Sequence, residues 1–192
     1  MAYIQVYTGT GKGKTTAAIG LSVRALGAGK RVLFLQFMKE SVYSEHKILK
    51  NISDKFTLET VGKPYFIARK EDLTPEMRAE YGARYVMFEK GNPPVDYVEL
   101  IDRGIRRASD AVRGGDYDLV VLDEINCALF FELVSEPAVL ALLENRAPNT
   151  EVVLTGRNAP ASIIAYADLV TEMREIKHYY TQGVEARKGI ES

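Results

Sequence analysis

The sequence predicts an α/β fold, with a mainly parallel central sheet of about six strands and helices on both faces. Short runs rich in Val, Ile, Leu and Phe recur along the chain, and they alternate with longer stretches of helical spacing. That pairing is the mark of strands covered on both sides. The strand candidates are Tyr3 to Thr8, Arg31 to Phe37, Phe56 to Val61, Leu119 to Leu122, Val152 to Thr155 and Leu169 to Met173. The first helix follows the first strand through a glycine-rich stretch, with Ala18, Leu21, Ala25 and Ala28 on one face. Thr74-Pro75-Glu76 reads as an N-cap, a first-turn proline and a first-turn acid opening another helix, and Gly91-Asn92-Pro93-Pro94 as a stop before the next. The middle third is therefore expected to be a helical hairpin. In its second helix Val98, Ile101, Ile105, Ala108 and Val112 fall on one stripe, which should face the core. Arg103, Arg106 and Arg107 lie on the polar side and are expected to form a solvated face.

With 192 residues, 46% of them hydrophobic, the chain has material for one substantial core, and residues 1–192 are expected to be a single domain without repeats. Lys and Arg number 25 against 26 Asp and Glu, a net charge of -1. Such a balance carries no footprint for nucleic acid or an anionic membrane, so the expected partners are small molecules. The opening MAYIQVYTG lacks a basic leader and a long apolar run, which points to a cytoplasmic protein. The lone cysteine, Cys127, has no partner for an internal disulfide and reads as a small core residue. His46 and His178 are too far apart in sequence to suggest a structural zinc site.

The strongest chemical signal is TGTGKGKTT, Thr8 to Thr16, between a strand and a helix. Glycines let backbone N–H groups turn around an anion, the helix N-terminus adds its positive end, Lys14 adds a charge, and the Thr15 hydroxyl is a candidate Mg²⁺ ligand. The glycines fall at Gly9, Gly11 and Gly13, so the loop is one residue tighter than the usual phosphate-binding loop, which would have glycine at the position of Thr8. Thr10, Lys12 and Thr16 complete the candidate binding stretch. LVVLDE, Leu119 to Glu124, supplies the matching acidic strand end, with Asp123 and Glu124 expected to hold Mg²⁺ (or Mn²⁺) directly or through water. Together these features predict a P-loop NTPase-like fold that binds ATP. They do not name a reaction, because kinases, ATPases and transferases share them.

Further blocks narrow the choice: GTGKGKTTAA (9–18), QFMK (36–39), VVLDEIN (120–126), VVLTGRNAP (152–160) and ADLVTEMREIKHYYTQGVEARKGIE (167–191). Together they resemble the cob(I)alamin adenosyltransferase family of the P-loop type, over nearly the whole chain. The resemblance implies that Co(I) of a reduced corrinoid attacks C5′ of ATP, with triphosphate leaving and a Co–C bond forming, on cob(I)yrinic acid a,c-diamide or cob(I)alamin. It also implies reversed ATP, with the loop around the γ end, a homodimer, and a reduced flavoprotein or other electron donor. Lys12 and Lys14 would then stabilise the charge building on the triphosphate, and no general base is needed, since Co(I) brings its own lone pair. Arg157, in TGRN, is a candidate contact to phosphate or ribose. The family's corrinoid-facing segment corresponds to GKPYF (62–66), where Tyr65 and Phe66 would either displace an axial ligand from cobalt or simply pack beneath the helices. The chain departs from the family in having Thr10 where asparagine is common, no Trp, and a first strand beginning at Tyr3, so that closure over the nucleotide is expected from elsewhere in the chain. Two other functions fit parts of the pattern: a P-loop phosphotransferase or ATPase acting at phosphorus, with Glu124 as its candidate acid, and a nucleotide-dependent corrinoid chaperone.

Overall fold

A computed structural model describes residues 2–40, 43–81 and 85–191. In chain order the elements are β1 (Ile4–Thr8), α1 (Lys14–Gly27), β2 (Val32–Phe37), α2 (His46–Leu49), β3 (Phe56–Val61), β4 (Phe66–Arg69), α3 (Pro75–Tyr81), β5 (Tyr85–Phe88), α4 (Val95–Gly114), β6 (Leu119–Asp123), α5 (Ile125–Phe130), α6 (Glu136–Glu144), β7 (Glu151–Thr155), α7 (Ala161–Tyr166) and β8 (Leu169–Glu172). Six strands form a sheet in the order β3-β2-β6-β7-β1-β8, every pairing parallel. All six strand candidates are strands, to within a residue at each end.

Alternation along the central strands divides the core into two layers. Leu33, Leu35 and Phe37 of β2, Val120 and Leu122 of β6, and Val152 and Leu154 of β7 pack on one face with α4, α5, α6 and α7. Val32 and Phe34, Leu119 and Val121, and Val153 pack on the other with α1 and α2. With both faces covered, these strands have no polar side to present, which is why they read as unbroken apolar runs. The register sets Gln36 opposite Asp123 where β2 and β6 end, so a buried amide lies beside a buried acid.

Parallel strands all end at one edge, and that edge collects the loops after β1, β2, β3, β6, β7 and β8. Helix α4 lies close on the sheet there. Ile101, Ala108 and Val112 of its predicted stripe are fully buried, and Val98 and Ile105 pack against the same cluster.

Three expectations need correction. The middle third is not a plain helical hairpin, because β4 and β5 pair in parallel as a separate two-stranded sheet around α3. Each is only four residues long, too short to carry a legible period. Ala28 lies past the end of α1 and is exposed; the buried face of the helix is Lys14, Ala18, Ser22 and Ala25. Arg107 does not belong to a solvated face, since its guanidinium donates to Glu59 of β3 at 2.7 Å and to the Tyr117 hydroxyl at 3.3 Å. Among the described residues no helix is long and apolar enough to cross a membrane.

Gly104 is where α4 comes nearest the sheet. A Cβ there would meet Phe37 Cε1 at 2.8 Å and Val61 Cγ1 at 3.0 Å. Gly104→Ala is therefore expected to destabilise the fold by about 1–3 kcal/mol through overpacking, measured by urea unfolding, despite the better helix propensity of alanine.

Candidate active site

The loop after β1 owes its glycines to two separate demands. Gly9 and Gly11 lie against the segment leaving β8: a Cβ on Gly9 would come 2.4 Å from the Met173 carbonyl oxygen, and one on Gly11 would come 2.9 Å from the same atom. Gly13, by contrast, takes a left-handed φ of 115° just before α1, and a Cβ there would meet only the Met173 sulfur, at an ordinary contact distance of 3.6 Å. The Gly11 N–H donates to the Met173 carbonyl at 2.7 Å, so this amide closes the loop onto the sheet edge. It is not one of the amides turned to an anion, as the sequence alone had suggested for the whole loop. The first turn of α1 carries no acid to offset its positive end.

Two lysines of the loop are held by oxygen atoms. Lys14 is buried and donates to the Gly9 and Gly11 carbonyls, each at 2.7 Å. Burial, followed by the nearby Arg157, pulls its ammonium below the ordinary lysine value. Lys12 is exposed and meets the C-terminal segment, donating to the Ile190 carbonyl at 2.9 Å, to Glu191 Oε1 at 3.0 Å and to the Tyr179 hydroxyl at 3.4 Å. Arg187 closes the same knot, 3.0 Å from Glu191 and over the Tyr179 ring. Glu191, Gly189 and His178 thereby form one wall of a cleft of about 740 Å³ above the loop.

Beneath the cleft lies Asp123, fully buried at the end of β6. Its Oδ1 accepts from the hydroxyls of Thr15 at 2.9 Å and Thr155 at 2.6 Å. Its Oδ2 accepts from Gln36 Nε2 and from Lys39 Nζ, both at 2.9 Å. The Gln36 amide is oriented in turn by His46, which is buried and bonds its Oε1 through Nε2. Because the amide nitrogen faces the carboxylate, the amide oxygen must accept, so His46 carries its proton on Nε2. Burial pushes the Asp123 carboxyl up, but Lys39, Thr155 and Gln36 outweigh it and leave the group below its ordinary 3.8.

In the sequence Lys39 stands out only as the last residue of QFMK, and nothing local marks it as a site residue. Met38 adopts a left-handed φ of 58°, which ends the strand alternation and turns the next residue back toward the cleft. Lys39 Nζ stands 3.2 Å from Thr15 Oγ1 as well as beside Asp123, and 5.5 Å over the Tyr43 ring. Burial lowers its pKa, yet Asp123 and Glu124 more than restore it, so the ammonium is held charged. Gly62, at the end of β3, lies flat on the Lys39 backbone, where a Cβ would come 2.4 Å from its N, C and O atoms.

Of the predicted residues, Thr10, Gly11, Lys12, Gly13, Lys14, Thr15, Thr16, Glu124 and Arg157 all line the cleft. Gly9 supports the loop from behind, and Asp123 lies under the floor. Glu124 reaches the cleft from a left-handed φ of 62°, its N–H donating to Thr155 and its Oε2 accepting from Cys127 Sγ at 2.9 Å. Cys127 is half-buried at the cleft wall and not in the core, and burial together with Glu124 pushes its thiol far up, which makes it a poor nucleophile. Tyr65 and Phe66 are not part of the cleft lining. The Tyr65 hydroxyl donates to Asp96 and its ring packs edge-on to Tyr97, whereas Phe66 is 56% exposed and packs against Tyr85.

The chemistry of Thr15, Asp123 and Glu124 is all oxygen, which suits Mg²⁺ or Mn²⁺, and a cation, the Lys39 ammonium, already sits between two of them. Among the described residues no group of three or more His, Cys, Asp or Glu could hold a metal ion. The protein therefore offers part of a coordination shell, of the kind completed by phosphate oxygens and water. Because the Asp123 pKa is depressed in the fold, its stabilisation is present above about pH 4 and is lost as pH falls below that. Asp123→Asn, which leaves Lys39 unpaired, is expected to cost about 3–5 kcal/mol at neutral pH. The stability gap between wild type and variant should begin to narrow, by about 1 kcal/mol, as thermal melts are taken from pH 4 to pH 3.

Over residues 1–192 the chain matches the model of the family described as ATP:corrinoid adenosyltransferase BtuR/CobO/CobP. It is 32% identical to a corrinoid adenosyltransferase of Sinorhizobium sp over 191 residues, covering 98% of this chain and 79% of that protein. It is 31% identical to the corrinoid adenosyltransferase CobA of Salmonella typhimurium over 189 residues, covering 98% and 84%. Against the corrinoid adenosyltransferase of Escherichia coli K12 the identity is 30%, with the same coverage. A match along the entire length, joined to a phosphate loop facing an acidic strand end, shows that the chain belongs to the ATP:corrinoid adenosyltransferase family.

Proposed function

We propose that this protein transfers the 5′-deoxyadenosyl group of ATP to the Co(I) centre of a reduced corrinoid and releases inorganic triphosphate. The observation that carries the reading is the collection of cations around one polyphosphate-sized cleft: Lys12, Lys14, Lys39 and Arg157 line it, with the N-terminus of α1 in its floor. Family membership directs that apparatus to carbon chemistry. The cobalt lone pair forms the Co–C bond as C5′–O breaks, and the electron pair of that bond leaves with the triphosphate. What the protein must do is hold the leaving group and stabilise its growing charge.

Lys14 has to give up the Gly9 and Gly11 carbonyls to reach a phosphate, and an arriving polyanion would raise its lowered pKa again. Lys12 must likewise exchange Glu191 for phosphate oxygen. Mg²⁺ or Mn²⁺ would be held by Thr15, Asp123 and Glu124, and would add charge stabilisation to the same leaving group. No side chain is asked to remove a proton, which agrees with a thiol at Cys127 that stays protonated. Tyr65 and Phe66, beyond β3 at the same sheet edge, are our candidates for the corrinoid side, with cob(I)alamin or cob(I)yrinic acid a,c-diamide as acceptor. We further take the protein to work in the cytoplasm as a homodimer supplied by a reduced flavoprotein or a similar donor. The edge strand β8, whose Leu169 and Val170 are exposed, is a surface that a second copy could cover.

The test is anaerobic incubation with Mg-ATP and chemically reduced cob(I)alamin, following the corrinoid spectrum and the phosphate product. A light-sensitive alkylcobalamin with equimolar triphosphate is expected. Lys14→Ala should lower kcat/KM by about 100-fold or more while the fold persists, since it removes one leaving-group contact. ADP and phosphate without change at cobalt would overturn the reading and leave an enzyme acting at phosphorus.

A further inference from the structure

The Asp123 carboxylate has room for four hydrogen bonds, and all four are made, by Thr15, Thr155, Gln36 and Lys39. A divalent ion that approaches the site must take the place of one of these donors. Gln36 is buried and fixed from behind by His46. Thr155 is buried and engaged by the Glu124 N–H as well. Thr15 would itself be a ligand. Lys39 alone among the four carries charge, and it hangs on a long, jointed stem at the open side, with 14% of its side chain exposed. The same ammonium also donates to the Thr15 oxygen, at 3.2 Å.

We infer that Lys39 is the resident cation of the nucleotide site: its ammonium occupies the position between Thr15 and Asp123 that a divalent ion needs, so metal enters only with a triphosphate that draws Lys39 onto its own oxygens. The electrostatics favour this order. A bare divalent ion meets a site already neutralised and is repelled by the ammonium, with Lys14 and Arg157 adding to the repulsion. A triphosphate reverses the sign of the cleft, supplies oxygen ligands to the metal and gives Lys39 a second anionic partner within reach. Lys39 is thus a positioning residue that makes metal and nucleotide bind as one unit, and it becomes a fourth cation on the leaving group. The inference rests on the proposed Mg-triphosphate site and not on the identity of the acceptor.

The experiment uses Mn²⁺ as the probe, titrated into the full chain without nucleotide and read by the paramagnetic resonance of free Mn²⁺. Wild type should bind it weakly. Lys39→Met should bind one Mn²⁺ about tenfold or more tightly than wild type, because the site is no longer held almost wholly in the ammonium-bound form. Its melting temperature should rise with Mn²⁺ where that of wild type does not. Lys39→Gln, which keeps a hydrogen-bond donor for Asp123, is the second neutral variant should the methionine chain fold poorly, and Lys39→Arg, which keeps the charge, should behave like wild type. Equal Mn²⁺ affinity in wild type and the neutral variants overturns the inference, as does tight nucleotide-free binding by wild type. Calorimetry with adenylyl imidodiphosphate in the presence of Mg²⁺ separates the two levels. No nucleotide binding by wild type refutes the site itself, whereas nucleotide binding without a gain of Mn²⁺ by the variants refutes only the role of Lys39.

Discussion

A single charge buried at the centre of the sheet edge organises this protein. Asp123 has no exposed surface, and an ionised carboxylate in that position is tolerable only with a full set of donors. Those donors come from three different parts of the chain: Thr15 from the first turn of α1, Gln36 and Lys39 from the end of β2, and Thr155 from the end of β7. The requirement to satisfy one acid therefore brings together the loop that would grip phosphate, the strand that carries Lys39, and the strand that leads to Arg157. Packing gives the sheet its existence, but the acid decides how its C-terminal edge is arranged.

Much of this was legible in the sequence because the physics was local. The buried strands announced themselves as apolar runs, and the glycine, lysine and threonine pattern between β1 and α1 needs only its immediate neighbours to be meaningful. The rest depended on register. Nothing in QFMK distinguishes Lys39 from a solvated lysine until Gln36 is set opposite Asp123 and Met38 turns the chain. The same applies to Arg107, which reads as a surface residue on its own helix and finds Glu59 only because α4 crosses β3. Strands β4 and β5 escaped notice for a different reason: four residues with mixed burial leave too little pattern to recognise. Pairing of Gly9 and Gly11 with the segment after β8 was equally hidden, since a glycine chosen for anion binding and one chosen for close packing look alike in sequence.

The lysines of the cleft all have oxygen partners within the chain. Lys14 is held by carbonyls, Lys12 by Glu191 and Lys39 by Asp123. Each of these three lysines thus has an oxygen partner of the protein's own. Such an arrangement lowers affinity for small anions, which can replace one partner but not three. On the proposed function a triphosphate would satisfy all of them together, and selectivity for the long anion would follow without a pocket shaped around each phosphate.

The contact between Gly62 and Lys39 carries one more consequence. No side chain separates the end of β3 from the backbone of residue 39; the two strands touch through main-chain atoms alone, and a single added carbon would not fit. Side chains can rotate to absorb a small displacement, but backbone pressed on backbone cannot. A displacement of Gly62 toward its neighbour would therefore press directly on the backbone of Lys39, the residue that pairs with Asp123. Two regions that share no ligand are geared to each other, and the glycine is the tooth at which they mesh.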